Sequence, residues 1–316
     1  MDYDIAAISM VRNEADIMWS CLANLHHHGI RQFAIADHRS SDSTVAEIEA
    51  FQNAFPDASV VIMSDPAKGH TQSRTITALA KFASSYFSAK YIFPFDADEF
   101  LVHESALAES DSKPYAPPSI SSLLGGAWDS LELDWITCAE RDDGAIIANR
   151  IPSKLKKIMM LWNDGMTVKQ GNHSIKSAHK NWLGKKKSLH IESQSEWKIL
   201  HFPVRSLAQF RSKILNGGAA NKVNKTGISS HWDVLFEAHK IYGESVLTDM
   251  YSLITSPSSN RVDFLAFVEK FGLDENLMGY FPEYFELKSV IQFTKPITIS
   301  KPMLRNSHID DKHSYS

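Results

Sequence analysis

Cysteine is almost missing: Cys21 and Cys138 are the two in 316 residues, and no C-x-x-C pair occurs. That excludes a disulfide framework and a cysteine-bound zinc, and it fits a reducing compartment. Long apolar runs are missing too; no stretch approaches the roughly 20 residues that a membrane span needs. The opening Met1-Asp2-Tyr3-Asp4 is acidic where a signal peptide is basic, and the apolar run after it, Ile5–Val11, is short and broken by Ser9. Neither sign of charge dominates: 33 basic residues face 37 acidic ones, a net charge of −4, which speaks against nucleic acid as a partner. The expectation is a soluble cytoplasmic protein, with peripheral contact at the inner face of a membrane left open.

The familiar phosphate-binding strings are also absent. No G-x-G-x-x-G follows the first apolar run, no G-x-x-x-x-G-K-[ST] occurs, and there is no G-x-S-x-G elbow. Dinucleotide, P-loop and hydrolase readings lose weight accordingly. No internal repeat or low-complexity tract is visible.

What is present is an ordinary globular composition, 43% apolar and 22% charged. Four strand-length runs, Ile5–Ser9, Phe33–Ala36, Val60–Met63 and Tyr91–Phe95, alternate with helical segments Ala15–His28, Thr44–Phe55 and Thr71–Phe87. Gly29 stops the first helix, and Ser40-Ser41-Asp42-Ser43 offers several caps for the second. This alternation predicts an α/β fold with a mostly parallel sheet covered on both faces by helices. Pro94 is a blemish, tolerable near the end of its strand. Leu131–Ala139 reads as a further strand, and the text after Ser206 is mostly helical. The predicted organisation is a sheet domain over 1–205, a helical extension over 206–297 and a flexible tail over 298–316.

Each of the first four strands ends in acidic or polar groups: Arg12-Asn13-Glu14, then Asp37, then Asp65, then Asp96 and Asp98. Open α/β sheets bind ligands outside the carboxyl ends of their strands, so these groups share one rim if the strands are parallel. Asp and Asn also end strands and cap helices in any such protein, but four consecutive strand ends favour a site. The sharpest string is Phe95-Asp96-Ala97-Asp98-Glu99-Phe100. Carboxylates two apart on extended chain point to one side and can face one hard cation, whose remaining positions fall to water and an anionic substrate. Residues 91–112 hold six acids and no Lys or Arg, so the cluster has no cationic partner nearby in sequence.

Val11-Arg12-Asn13-Glu14, Asp37-His38-Arg39-Ser40-Ser41-Asp42-Ser43-Thr44, Gly69 with Arg74, and Asp96-Ala97-Asp98-Glu99-Phe100 together resemble a GT-A-fold glycosyltransferase. The narrower resemblance is to the family-two-like group with a D-A-D-E-F motif. That group also carries strings like Gly171-Asn172-His173 and His201-Phe202-Pro203-Val204-Arg205-Ser206, with Lys213 beyond. The ordered match spans about residues 4–215. The resemblance implies a GT-A-like (Rossmann-like) sheet, a nucleoside-diphosphate-sugar donor, a glycan or lipid-linked glycan acceptor, and Mn2+ or Mg2+. It implies that Arg12, Asn13, Glu14 and Asp37 line the nucleoside pocket, that Gly69 belongs to the donor site, and that Arg74 steadies the donor's phosphates or the acidic motif itself. Asp96, Asp98 and His201 would hold the metal, and Glu99 would orient the sugar.

Two departures stand out. Asp37-His38 replaces the group's Asp-Asn, and no clear Glu-Asp pair marks the catalytic base. Asp142, Asp143 and His173 are the base candidates, the histidine because a neutral imidazole accepts a proton near pH 7. His26-His27-His28 cannot share one metal, since neighbours on a helix point apart. Residues 151–187 carry nine lysines and one acid, Asp164, a local +8 that is either a solvated face or a surface for an anion. The expectation is that this segment packs near His173 and supplies positive charge to the rim. Two rival functions remain: a sugar nucleotidyltransferase, and a non-catalytic polyanion-binding protein using these lysines.

Overall fold

The four apolar runs form strands and the segments between them form helices, in the expected order. The structure is a computed structural model that describes residues 4–67, 71–106, 118–140, 146–149, 152–178, 188–224, 231–256, 259, 261–273 and 290–292. Its first part runs β1 (Ile5–Val11), α1 (Met18–His27), β2 (Gln32–Asp37), α2 (Thr44–Ala54), β3 (Ser59–Ser64), α3 (Gln72–Tyr86) and β4 (Tyr91–Pro94). β1 pairs in parallel with β2 and β4, and β2 with β3. Their carboxyl ends therefore lie on one rim.

The other half of the sheet is mixed. It comprises β5 (Glu99–His103), β6 (Ser130–Glu140), β7 (Ile146–Asn149), β8 (Lys156–Leu161), β11 (Ile191–Val204) and β12 (Val290–Gln292), while β9 (Met166–Val168) and β10 (Ile175–Ser177) form a separate hairpin. β8 lies between β4 and β6, antiparallel to both. β11 pairs in parallel with β6 and antiparallel with β5, which brings His201 opposite Glu99. Pro94 does no damage because the β8 ladder on β4 stops at Ile92. The chain then continues as α4 (Leu207–Asn224), α5 (His231–Tyr242), α6 (Glu244–Thr255) and α7 (Arg261–Lys270), as the helical text after Ser206 predicted.

Burial follows chemistry. Between the sheet and α1 and α2 pack Phe33 and Phe93 of the strands with Leu22, Leu25 and Phe51 of the helices; on the α3 side pack Ile8, Ile92 and Met160 with Leu79. Phe210, Ile214, Leu247, Met250 and Phe264 form a further core among α4–α7, closed by Ala139 and Val204 from the sheet. Each fully buried side chain of this size contributes about 1.5–3 kcal/mol. Gly29 ends α1 as expected, at φ +99°, and a side chain there would meet Ser119 Oγ at 2.5 Å. Both cysteines are free and buried. Among the described residues no helix is long and apolar enough to cross a membrane.

The histidine triplet is structural. His26 bonds Asp57 at 2.9 Å, and buried His28 packs edge-on to Trp197. Burial pushes the His28 imidazole down to about 4, against an ordinary value of 6.5. The unfolded chain then binds the proton first, so stability should be full above pH 6.5 and fall as pH drops from 6.5 toward about 4. Urea unfolding across that range should show this loss, and His28→Gln should flatten it. An unchanged slope in the variant would count against a buried neutral His28.

Candidate functional site

The polar run before α2 caps it through Asp42, whose Oδ1 accepts from Thr44 N–H at 3.0 Å, and does more besides. Ser43 makes no side-chain cap bond. Instead Asn13 N–H donates to Ser40 Oγ at 3.0 Å, Glu14 N–H to Thr44 Oγ1 at 2.8 Å and Ala15 N–H to Asp42 Oδ2 at 3.2 Å. Asn13 Oδ1 accepts from Ser41 N–H in return, at 2.8 Å. The serines thus stitch the loop after β1 to the loop after β2. Asp37 lies half-buried beside them, accepting from Ser40 N–H at 3.2 Å, and Arg12 is exposed. His38, the residue that departs from the resembled pattern, turns inward to Asp65 Oδ2 at 3.2 Å. Asp65 also accepts from Thr75 Oγ1 and Ala67 N–H, so it braces the rim.

After β4 the chain turns instead of running extended, and Asp96 and Asp98 acquire different surroundings. Asp96 Oδ1 accepts from Gln72 and Asn172, each at 3.1 Å, while Oδ2 takes the Lys157 ammonium at 2.7 Å. Lys157 comes from β8, is 1% exposed, and also pairs with Glu99 at 2.6 Å and donates to Gly171 O at 2.9 Å. Burial alone would lower its pKa, but Asp96 and Glu99 outweigh that and hold it charged. Glu99 is pushed up to about 8 by burial, opposed by Lys157 and reinforced by Asp96 and Asp98. This acidic turn is thus not without cations; they arrive through tertiary contact.

Asp98 is the focus of a second cluster. Its Oδ2 lies 2.7 Å from Lys213 Nζ, 3.6 Å from His201 Nε2 and 3.8 Å from Arg205 Nη1. Burial would raise its pKa, but Lys213, His201 and Arg205 together hold the carboxyl well below the usual range. Arg205 is locked: it pairs with Glu14 at 2.7 Å and Asp16 at 2.7 and 3.0 Å, and donates to Phe202 O. Glu14 is pushed up to about 7, first by burial and then by Asp98, with Lys213 and Arg205 opposing.

His201 sits beside this carboxylate with its ring on Trp135, centroids 4.5 Å apart. Burial lowers its pKa, and its Nδ1 has no hydrogen-bond partner among the described residues, so nothing on the far side favours the charged ring. His173 also approaches Trp135, at 5.1 Å, with Nδ1 against Lys156 O at 2.8 Å. That carbonyl requires a proton on Nδ1 and leaves Nε2 as the lone-pair nitrogen. Burial and then Lys157 push His173 down to about 4, which makes it neutral but weakly basic near pH 7. Gly171 permits the turn at φ +81°; a side chain there would lie 2.6 Å from the His173 ring.

Arg12, Asn13, Glu14, Asp37, Asp96, Asp98, Glu99, His173 and His201 thus border the carboxyl-end rim or the turn beside it. Arg74 is exposed on the first turn of α3, in a cleft of about 440 Å³ with Gln72, Thr77, Thr167 and Gln170. Gly69, Asp142, Asp143, Lys185–Lys187 and the 298–316 tail lie outside the described residues. Sequence analysis assigned no role to Lys157, Trp135 or Gln72 and named Arg205 and Lys213 only as part of the resembled string. For Lys157 a signal existed, a lysine opening an apolar strand in the lysine-rich segment; Gln72 carried none.

Does a divalent ion suit these residues? Asp98 Oδ2 and a neutral His201 Nε2 converge on one place, and a carboxylate with one imidazole is a fair donor pair for Mn2+ or Mg2+ once water and phosphate oxygens complete the shell. The acids around Asp98, namely Glu14, Asp16, Asp96 and Glu99, face Lys157, Arg205 and Lys213, and burial pushes Glu14 up to about 7 and Glu99 up to about 8. The pair fits. No group of three His, Cys, Asp or Glu side chains is poised for a metal among the described residues, and Asp96 is held by three donors, Gln72, Asn172 and Lys157.

No protein-family model matches the chain, and no curated protein matches it in sequence. Among solved structures, S. aureus TarS 1–349 in complex with UDP is 9% identical with a TM-score of 0.37, over 84% of this chain and 79% of that one. Mannosyltransferase PcManGT from Pyrobaculum calidifontis, in complex with GDP-Man and Mn2+, is 11% identical with a TM-score of 0.38, over 89% and 85%. HddC from Yersinia pseudotuberculosis is 12% identical with a TM-score of 0.33, over 63% and 93%.

Proposed function

We propose that this chain is a glycosyltransferase that moves a sugar from a nucleoside-diphosphate sugar to an acceptor hydroxyl with the help of Mn2+ or Mg2+. The observation that carries it is Asp98: a buried carboxylate on the rim, joined by a neutral imidazole and two cations. A sugar alone needs no such concentration of charge, whereas a metal-bound diphosphate does. Glu14, Asp37, Arg12 and Asn13 would receive the nucleoside, and Gly69 and Arg74 would reach toward the phosphates. Asp98 and His201 would hold the divalent ion, with Asp96 and Glu99 fixing the turn through Lys157. The ion would act as a Lewis acid for the departing diphosphate. His173, Asp142 and Asp143 are the residues from which the acceptor's base is to be chosen. We read 1–205 as the donor-binding part and the helices after it as the source of Lys213. A glycan or lipid-linked glycan is the acceptor class we assign.

Two observations weigh against the rivals. A nucleotidyltransferase cradles its triphosphate on free N–H groups of the loop after the first strand, but here Asn13, Glu14 and Ala15 spend theirs on Ser40, Thr44 and Asp42. A polyanion binder needs its lysines outside. In the lysine-rich segment Lys154, Lys169 and Lys176 are exposed, but Lys157 is buried on two acids and Lys156 is paired with Asp134, so the segment does not present its lysines as one outward face.

The test is a panel of nucleoside-diphosphate sugars incubated with the protein and Mn2+, reading released nucleoside diphosphate. One donor should be consumed, slowly with water and faster with a glycan extract. Pyrophosphate release from a nucleoside triphosphate and a sugar phosphate, with no donor consumed, would overturn the assignment.

A further inference from the structure

Two guanidinium groups at the rim have no counter-charge. Arg12 follows β1 and Arg39 follows β2; both are exposed, and neither makes a hydrogen bond or ion pair among the described residues. They are also neighbours. Val11 O accepts from His38 N–H at 2.8 Å, and Asn13 N–H donates to Ser40 Oγ at 3.0 Å. Arg12 and Arg39 are the residues enclosed between those two bonds, so their backbones lie side by side. Both loops turn here through a left-handed residue, Asn13 at φ +55° and Arg39 itself at φ +61°, a conformation uncommon away from glycine. Like charges set side by side repel, and the acids of these loops and of the loop after β3 are engaged elsewhere. Glu14 and Asp16 hold Arg205, and Asp42 accepts from Ala15 N–H and Thr44 N–H. Asp37 accepts from Ser40 N–H, and Asp65 takes His38, Thr75 and Ala67 N–H.

We propose that Arg12 and Arg39 form an oxyanion clasp, a site that holds one phosphoryl or carboxylate group and needs no metal to do so. No role falls to Arg39 in the donor site as proposed above. Planar guanidinium forks match phosphate and carboxylate oxygens two at a time, and their long stems let two arginines reach one group. The bonds that tie Asn13 to Ser40 and Ser41 hold the two loops together, so the backbone of the site stands ready before any ligand arrives. Arg205 is no part of the clasp, because Glu14 and Asp16 already fill its fork. Two sources of the oxyanion are chemically open: the phosphates of a nucleotide, or an acidic group on the acceptor. Position favours the first, since Arg12 borders the nucleoside pocket. That choice of source rests on the glycosyltransferase reading; the clasp itself does not. A donor held this way binds in part without metal, and an ion at Asp98 adds to the hold instead of creating it.

The experiment is calorimetry on the full chain in EDTA, with inorganic pyrophosphate, UDP, GDP, uridine, guanosine, glycerol phosphate and glucuronate as probes. Wild type should bind pyrophosphate, and should bind UDP or GDP more tightly than the matching nucleoside, with both affinities falling as salt rises. Arg12→Gln and Arg39→Gln should each weaken that binding about ten-fold, the scale of losing a charged hydrogen-bond donor. Arg39→Lys should keep part of it. Lys81→Gln, which removes one exposed positive charge from α3, should change nothing. Both arginines are exposed, so their variants should keep the wild-type unfolding midpoint. Binding of glycerol phosphate or glucuronate that depends on the two arginines, with nucleotides indifferent to them, would keep the clasp and assign it to the acceptor. Failure of every anion to bind in EDTA, or binding that survives loss of both arginines, would overturn the clasp. Either result leaves the proposed function to its own test, the consumption of a donor.

Discussion

Asp98→Asn is expected to slow donor consumption about a hundred- to a thousand-fold at saturating donor and Mn2+, the scale of losing a main electrostatic stabiliser of a leaving group. The amide keeps the shape of the carboxylate but gives up the charge on which Lys213, His201 and Arg205 converge. Its counterpart, Asp96→Asn, should act differently. Asp96 is tied to Lys157, Gln72 and Asn172, so its loss should loosen the turn and lower stability more than it lowers nucleotide affinity. Rate and unfolding free energy measured on both variants would separate the two roles. Comparable rate losses from both, with stability unchanged, would mean that the two carboxylates act on one ion after all.

Lys157→Met should cost about 3–5 kcal/mol of stability, because it strands the carboxylates of Asp96 and Glu99 around a buried apolar stem. The cost should grow with pH. Glu99 is already pushed up to about 8, and without Lys157 it rises further, so the folded variant must hold a proton that the unfolded chain releases. A raised carboxyl pKa favours the folded state less as pH climbs, so the deficit relative to wild type should widen above pH 8. Adding Glu99→Gln removes the stranded charge and should recover part of the loss. Urea unfolding of the three proteins at pH 6.5 and 8.5 checks this. A deficit below about 1 kcal/mol, typical of an exposed pair, would show that Lys157 is no linchpin.

The parallel half of the fold was legible because each strand there carries its own apolar run and is joined to the next by a helix. Of the mixed half, β6 was legible as the run Leu131–Ala139 and the rest was not. β5 begins inside the acidic turn and β8 opens with two lysines, so neither shows the clean run that marks a strand. The acids could be found because strand ends in a parallel sheet share a rim. Their cationic partners could not: Lys157 is 61 residues from Asp96 and Lys213 is 115 from Asp98, and no local pattern encodes such pairing. The chain turns at Ala97, so the extended spacing assumed for Asp96 and Asp98 does not hold there: Asp96 bonds Lys157 of β8 and Asp98 bonds Lys213 of α4. Of the positive segment expected at the rim, Lys157 bonds Asp96, and Lys185–Lys187 lie outside the described residues.

Calorimetric titration of UDP and GDP into the wild-type protein, with Mn2+ and then with EDTA, tests the central claim most directly. At least one of the two should bind in Mn2+ and weaken about ten-fold or more in EDTA, the loss vanishing in Asp98→Asn. Binding of neither nucleotide in Mn2+, or binding indifferent to both the metal and Asp98, would contradict it.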